Sequence, residues 1–375
     1  MKSSTLRSFC LGVLCAVVPL PLVSQSALVS AAPSRIVAPM DETNLVPLRG
    51  NVHPLALAKF DRGVAPASTP TGRIMLVLQR SAAQQQALTQ YLSDVQNANS
   101  PNFHRWLTPA QYGARFSIAD SDLQTVESWL QAHGFTIEKV PQARNVIEFS
   151  GTFDQIQNTF HTAIHTYAVN GQTHFANATD PQIPAALAPV IAGVGPLNDF
   201  HPKPNYIRGQ NGHWDPSTHS IQPGLTLLEG TEPFLFVDPA DAATIYDTPN
   251  KNLNLKFPAN GTNYDGTGVT IGIAGEADIV SQDIANYRTG FLGESTAKVN
   301  LPTVVTDGND PGINGATVEA LLDNEVAGGI APGAKIIFYT SAGSDIADGL
   351  FNAIFRAIDD NNVSILNISF GECEA

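Results

Sequence analysis

Two carboxylates stand four residues apart in Asn314-Gly-Ala-Thr-Val-Glu319-Ala-Leu-Leu-Asp323-Asn-Glu325-Val-Ala-Gly-Gly329. The stretch reads as a short buried helix, and positions four apart on a helix lie one above the other on the same face. Glu319 and Asp323 are therefore expected to sit close enough to share a proton. On a solvated helix a like-charged pair costs roughly 0.2–0.5 kcal/mol. In a dry cleft the repulsion raises one carboxyl's pKa, which leaves one group to act as base while its neighbour holds the proton. A solvated acidic face is the plainer explanation of such spacing. Against it stand the apolar neighbours Val318, Leu321, Leu322 and Val326, and the lack of any Lys or Arg between Lys298 and Lys335.

The elements that must position this pair follow from the rest of the chain. Its 375 residues, 43% of them hydrophobic, suffice for two globular domains. The net charge of −14 is uneven: residues 238–375 hold 19 acids and 6 bases, residues 36–200 hold 12 and 9. An acidic C-terminal part excludes nucleic acid as a partner, since phosphate binding needs clustered Lys and Arg. It suits work at low pH, where protonated carboxylates repel less. All nine histidines lie at or before His219, so no Ser-His-Asp triad can be assembled from the later residues.

The start of the chain, basic through Arg7 and apolar over Phe9–Val18, reads as a secretory signal peptide spanning 1–32. It is short for a membrane span and interrupted by Pro19 and Pro21. A secreted product, extracellular or periplasmic, without a membrane anchor after signal removal, is expected. Cys10 and Cys15 would leave with the signal, and Cys373 would remain as a free thiol or as half of a disulfide to chain outside this sequence.

After a Pro-rich lead-in, residues 72–200 alternate strand and helix patterns. Ile74–Leu78 is a β run, and Leu88, Tyr91, Leu92 and Val95 stripe a helix. Thr108-Pro109 caps a second helix, and Ser117 with Asp120 opens a third, striped by Leu123, Val126 and Leu130 and stopped by Gly134. Strands are expected at 135–140 and 145–149, a helix on Phe153, Ile156 and Phe160, and a hairpin around Asn170-Gly171. This succession predicts an α+β domain of ferredoxin-like type. Linker composition at 201–235, exposed and easily cut, separates it from a second domain. There strands at 266–275, 302–305, 334–340 and 363–370 alternate with helices, which predicts a parallel sheet covered on both faces.

Here the sequence resembles the sedolisins, or serine-carboxyl peptidases, made as precursors with a kumamolisin-type activation domain. The likeness spans roughly residues 40–375. Phe103-His-Arg-Trp-Leu-Thr-Pro-Ala-Gln-Tyr-Gly113, Ser128-Trp-Leu-Gln-Ala-His-Gly-Phe135, Pro239-Ala-Asp-Ala-Ala-Thr-Ile-Tyr246, Glu319-Ala-Leu-Leu-Asp323 and Ala331-Pro-Gly-Ala-Lys-Ile336 carry it. The resemblance implies a propeptide at 33–200 that docks on its own catalytic domain, a linker with the activation cleavage region at 201–235, and the N-terminal portion of a subtilisin-like α/β peptidase domain at 236–375. It implies that Glu319 is the general base for a nucleophilic serine, that Asp323 shares its proton, and that Ser369, Phe370 and Gly371 line the edge where a protein or peptide substrate pairs. It also implies calcium for the complete family domain, with no metal site in this chain.

The family's Gly-Thr-Ser nucleophile stretch and Ser-Gly-Asp stretch do not occur between residues 238 and 375. The expectation is thus an incomplete active site, inactive alone. Two rivals remain. An ordinary subtilisin-like enzyme would need an aspartate where Gly275-Glu276 stands and His-Gly on the helix of Glu319; a non-catalytic secreted inhibitor or folding module would work through residues 40–200.

Overall fold

Three helices of the N-terminal part begin in the same way, with a hydroxyl taking the third backbone N–H of the helix while a glutamine side chain reaches back. The computed structural model describes residues 32–204, 212–215, 220–223, 228–229, 232–233, 239–248, 264–344 and 346–371. All lie within one unit, Ala31–Ala375.

Strands β1 (Leu45–Pro47) and β2 (Asp61–Val64) precede β3 (Ile74–Leu78). Ser81 caps α1 (Ala82–Gln96), Thr108 caps α2 (Pro109–Phe116), and α3 (Asp120–Ala132) follows. Then come β4 (Thr136–Lys139), β5 (Val146–Ser150), α4 (Phe153–Phe160) capped by Thr152, β6 (Ile164–Val169), β7 (Gln172–Asn177), β8 (Gln182–Pro184) and β9 (Ile191–Gly195). One antiparallel sheet has the order β4-β5-β3-β9; a second has the order β2-β6-β7, and β1 pairs with β8. The β6–β7 hairpin turns on Asn170 and Gly171, both at positive φ (51° and 79°), as its sequence requires. Ile74, Leu76, Val126, Leu130, Ile147, Phe149, Ile156 and Phe160 form the core between the four-stranded sheet and its helices.

Two expectations need correction. Leu92 is 55% exposed, so the buried stripe of α1 is Leu88, Tyr91 and Val95 alone. Helix α3 has Ala119 at its N-cap and no side-chain cap. The Ser117 hydroxyl instead donates to the Arg144 carbonyl, and Asp120 pairs with the Arg144 guanidinium, because the β4–β5 loop packs over this turn and offers both groups closer partners.

In the linker region the described residues include β10 (Lys203–Pro204) and the hairpins β11 (Gly212–Asp215) with β12 (Ser220–Pro223) and β13 (Leu228–Glu229) with β14 (Glu232–Pro233). After α5 (Pro239–Ile245) the chain alternates: β15 (Thr270–Gly275), α6 (Ser281–Leu292), β16 (Thr303–Thr306), α7 (Thr317–Ile330), β17 (Lys335–Thr340), α8 (Gly349–Asp360), β18 (Ile365–Ile368) and β19 (Phe370–Gly371). The sheet is parallel with order β16-β17-β15-β18.

Alternate residues of one strand feed two cores. Ile273, Ile336 and Phe338 pack with Ile284 and Ala320 from α6 and α7, while Ala274, Ile337 and Tyr339 pack with Leu350, Ala353 and Ala357 from α8. That double burial is why β15 and β17 read as near-continuous apolar runs.

The two parts meet along an extensive seam. Ile346, fully buried, and Ala347, from the loop before α8, join the core of the N-terminal part. Arg73 pairs with buried Glu148 at 3.1 Å and with Asp307 at 2.7 Å, and Lys139 pairs with Asp359 at 2.9 Å. The Ser344 hydroxyl donates to the Thr71 carbonyl at 3.0 Å.

Candidate active site

Helix α7 carries Glu319 and Asp323, and its start is fixed by a neighbouring loop. Asn314 Oδ1 accepts the Ala316 N–H at 2.8 Å, while Asn314 Nδ2 donates to the Glu276 carbonyl just beyond β15 at 2.9 Å. This ties the first turn of α7 to the carboxyl end of the sheet, where ligands of parallel α/β folds bind. Glu319 is buried, 4% exposed, and its Oε2 has no hydrogen-bond partner among the described residues. Asp323, one turn further on, is half-buried.

Both carboxyls line one groove of about 420 Å³, together with Leu322, Val326, Ile368, Ser369 and Phe370. The apolar neighbours divide differently from expectation: Leu322 and Val326, 41% and 51% exposed, wall the groove rather than the core. Ser369 Oγ donates to Asp323 Oδ1 at 2.7 Å and accepts from Asn367 Nδ2 at 2.9 Å. Burial, with the charge of Asp323 adding to it, holds Glu319 above the usual carboxylate range. Burial also raises Asp323, and the bonds from Ser369 and Asn367 pull the other way. A third acid of this helix, Glu325, faces away from the pair; burial and the charge of Asp283 on α6 push it up to about 7.

Of the expected edge residues, Ser369 and Phe370 line the same groove, and Gly371 follows them in the chain. Phe370 and Gly371 already pair with a strand: antiparallel to them run Pro204 and Lys203 of β10, in register Lys203↔Gly371 and Pro204↔Phe370. Residues 203–204 of the segment that joins the two parts of the chain thus lie along this edge, directly after the Ser369 that bonds Asp323. Cys373 lies outside the described residues. Among the described residues no three His, Cys, Asp or Glu side chains gather in a set that could hold a metal ion.

A second polar cluster escaped sequence reasoning. Glu276, next after β15, and Asp348, the N-cap of α8, line a cavity of about 770 Å³ at the seam with His174, Asp199, His201 and Lys203. Only the position of Glu276 at a strand end could have marked it, since its partners are remote in sequence. Burial and the charge of Asp348 push Glu276 up to about 7, against the pull of His201.

The fold and groove define a chain in which an α+β part packs along α8 and the carboxyl end of a parallel α/β part. Comparison with known proteins gives that class a family. Residues 60–200 match the family described as pro-kumamolisin, activation domain. The chain is 31% identical to xanthomonalisin of Xanthomonas sp. (strain T-22), over 77% of this chain and 34% of that protein. It is 28% identical to sedolisin of Pseudomonas sp. (strain 101), over 100% and 60%, and 28% identical to kumamolisin of Bacillus sp. (strain MN-32), over 74% and 47%. Residues 60–200 thus belong to the activation-domain family, and the chain as a whole is similar in sequence to sedolisin-family peptidase precursors. It spans less than two thirds of the length of each of these relatives. Among the described residues no helix is long and apolar enough to cross a membrane.

Proposed function

We propose that this chain is the precursor portion of a secreted serine-carboxyl endopeptidase that works in acid, with residues 33–200 as propeptide, 201–235 as the connecting segment that is cut, and 236–375 as the first portion of a subtilisin-like domain. The strand order β4-β5-β3-β9 around two helical crossovers supports a ferredoxin-like propeptide with the β6–β7 hairpin inserted. Glu319 serves as general base toward a serine hydroxyl, and Asp323 shares the proton and orients it. A buried carboxyl with an open oxygen can accept a proton that an exposed one would leave to water, and its raised pKa makes it a better base. Ser369 steadies Asp323, and Phe370–Gly371 is the edge along which a peptide substrate pairs. The observation that carries this reading is β10 itself: Lys203–Pro204 runs antiparallel along Phe370–Gly371, directly after the Ser369 that bonds Asp323, the geometry of strand addition.

No serine of residues 238–375 has the family's nucleophile context, so the chain alone is expected to leave peptides uncut. The test is to extend it with the matching C-terminal portion of sedolisin, which should confer peptide hydrolysis at pH 3–5. Glu319→Gln or Asp323→Asn in that chimera should lower kcat by about 10²–10⁴-fold, the range for losing a general base. A chimera that cleaves equally well with both substitutions, or cleavage by the chain alone, overturns the assignment.

A further inference from the structure

Asp348 is set up as a half-used carboxylate. Its Oδ1 accepts the Leu350 N–H at 2.7 Å and caps α8, as an aspartate at that position should. Its Oδ2 is buried, and no hydrogen-bond donor among the described residues reaches it; the side chain is 2% exposed. A buried carboxylate oxygen without a donor is costly unless a cation stands near. A basic group stands there: His201, whose Nδ1 lies 3.7 Å from Oδ2 and which is a cation when protonated. Glu276 lines the same cavity from the end of β15, and Asp199 and His174 of the N-terminal part face it from the other side. Burial works against charge on His201, but the neighbouring carboxylates of Asp348, Glu276 and Asp199 outweigh it and raise its pKa.

His201 stands two residues before Lys203, the residue paired with Gly371. Residues two apart on an extended segment project to the same face. The imidazole therefore enters the acidic cavity from a segment that lies along the proposed substrate edge. We propose that Glu276 and Asp348 form a specificity subsite for a cationic side chain, His, Arg or Lys, of a peptide paired along Phe370–Gly371, and that His201 occupies it in the uncut chain as a substrate residue would. The proposal rests on the reading of that edge as the peptide-binding strand. Its acid pair belongs to the C-terminal part and stays in place when the N-terminal part leaves, so an incoming peptide meets the same requirement.

The connecting segment is a tethered ligand, which allows a test without catalysis. In the full chain at pH 6, the amides of Lys203, Phe370 and Gly371 report β10–β19 pairing by hydrogen exchange. His201→Arg should keep their protection, His201→Gln should lose about tenfold of it, and His201→Glu more. In a Glu276→Gln/Asp348→Asn background the four residues at 201 should become equivalent. Protection by Gln equal to that by Arg, or the same ranking in the neutral background, overturns the subsite. Amides of β3 and β5 serve as the folding control, since a general loss of structure would lower them as well. In the chimera described above, peptides varied only at the position two before the one paired with Gly371 should be cut about tenfold better, in kcat/KM, with Arg than with Gln. Equal rates there overturn the substrate side of the proposal. A chimera that cuts nothing leaves the exchange ranking standing and counts against the peptidase reading instead.

Discussion

At the scale of single residues, two acids one turn apart on α7 are both held above the usual carboxylate range. Burial is the larger cause of the raised pKa of Glu319, and Asp323 adds to it through its charge. Asp323→Asn should therefore lower the Glu319 pKa while leaving it above the usual carboxylate value. An NMR titration of the labelled Glu319 carboxyl checks this; an unchanged value in the variant would mean that the pair is not coupled. The four-residue spacing made this pair readable in the sequence, because helix geometry alone brings such positions together. The bond from Ser369 to Asp323 spans 46 residues, and the approach of His201 to Asp348 depends on how two separate parts dock. No local pattern encodes contacts of that kind. Leu322 and Val326 show the same limit: their apolar character was plain, but whether it served core or groove depended on where β18 runs.

The elements were legible where local chemistry decides them. Thr108-Pro109 starts α2, Asn170-Gly171 turns the β6–β7 hairpin, and the apolar runs at β15 and β17 fill both faces of a parallel sheet. They were less legible where tertiary partners compete, as at Ser117 and Asp120, whose side chains serve Arg144 rather than the start of α3. The loop before α8 could not be read at all, since nothing in Ser344–Asp348 announces that Ile346 is a core residue of the other part. Ile346→Ala should cost about 2–5 kcal/mol, the range for truncating a fully buried aliphatic side chain, provided the surrounding atoms do not collapse into the space. Urea denaturation of the full chain measures it. A loss below about 1 kcal/mol would show that the two parts hold together without this plug. Gly72 is a second sensitive point on the seam. Its φ is +64°, and a Cβ there would collide with the Ser344 hydroxyl, so Gly72→Ala should destabilise through both strain and the lost Ser344 to Thr71 bond.

For the whole molecule, the sequence-level excess of acids in the C-terminal part becomes a statement about pH once burial is known. Glu276 and Glu325 are both pushed up to about 7, chiefly by burial, and Glu319, Asp323, Glu148 and Asp199 are also raised by burial. A carboxyl whose pKa is higher folded than unfolded binds more protons in the native state between the two values, so stability falls as pH rises through that window. For Glu276 and Glu325 the window runs from the ordinary 4.5 to about 7. His201, raised by its acidic neighbours, has the same sign: its contribution is complete below 6.5 and is lost as pH rises through its folded value. Opposing them are Asp41 and Asp61, lowered chiefly by hydrogen bonds from Thr43 and Gly63, whose contribution is lost only when pH falls below the ordinary 3.8. The signs together place maximum stability in mild acid. The melting temperature of the full chain should therefore rise steadily from pH 8 to pH 5, and Glu276→Gln with Glu325→Gln should flatten most of that rise, because glutamine is neutral at both ends of the range. Scanning calorimetry across that range decides it. A melting temperature that is level or higher at pH 8 would mean that these carboxyls are solvated in solution, and that acidity of sequence here serves solubility rather than work at low pH.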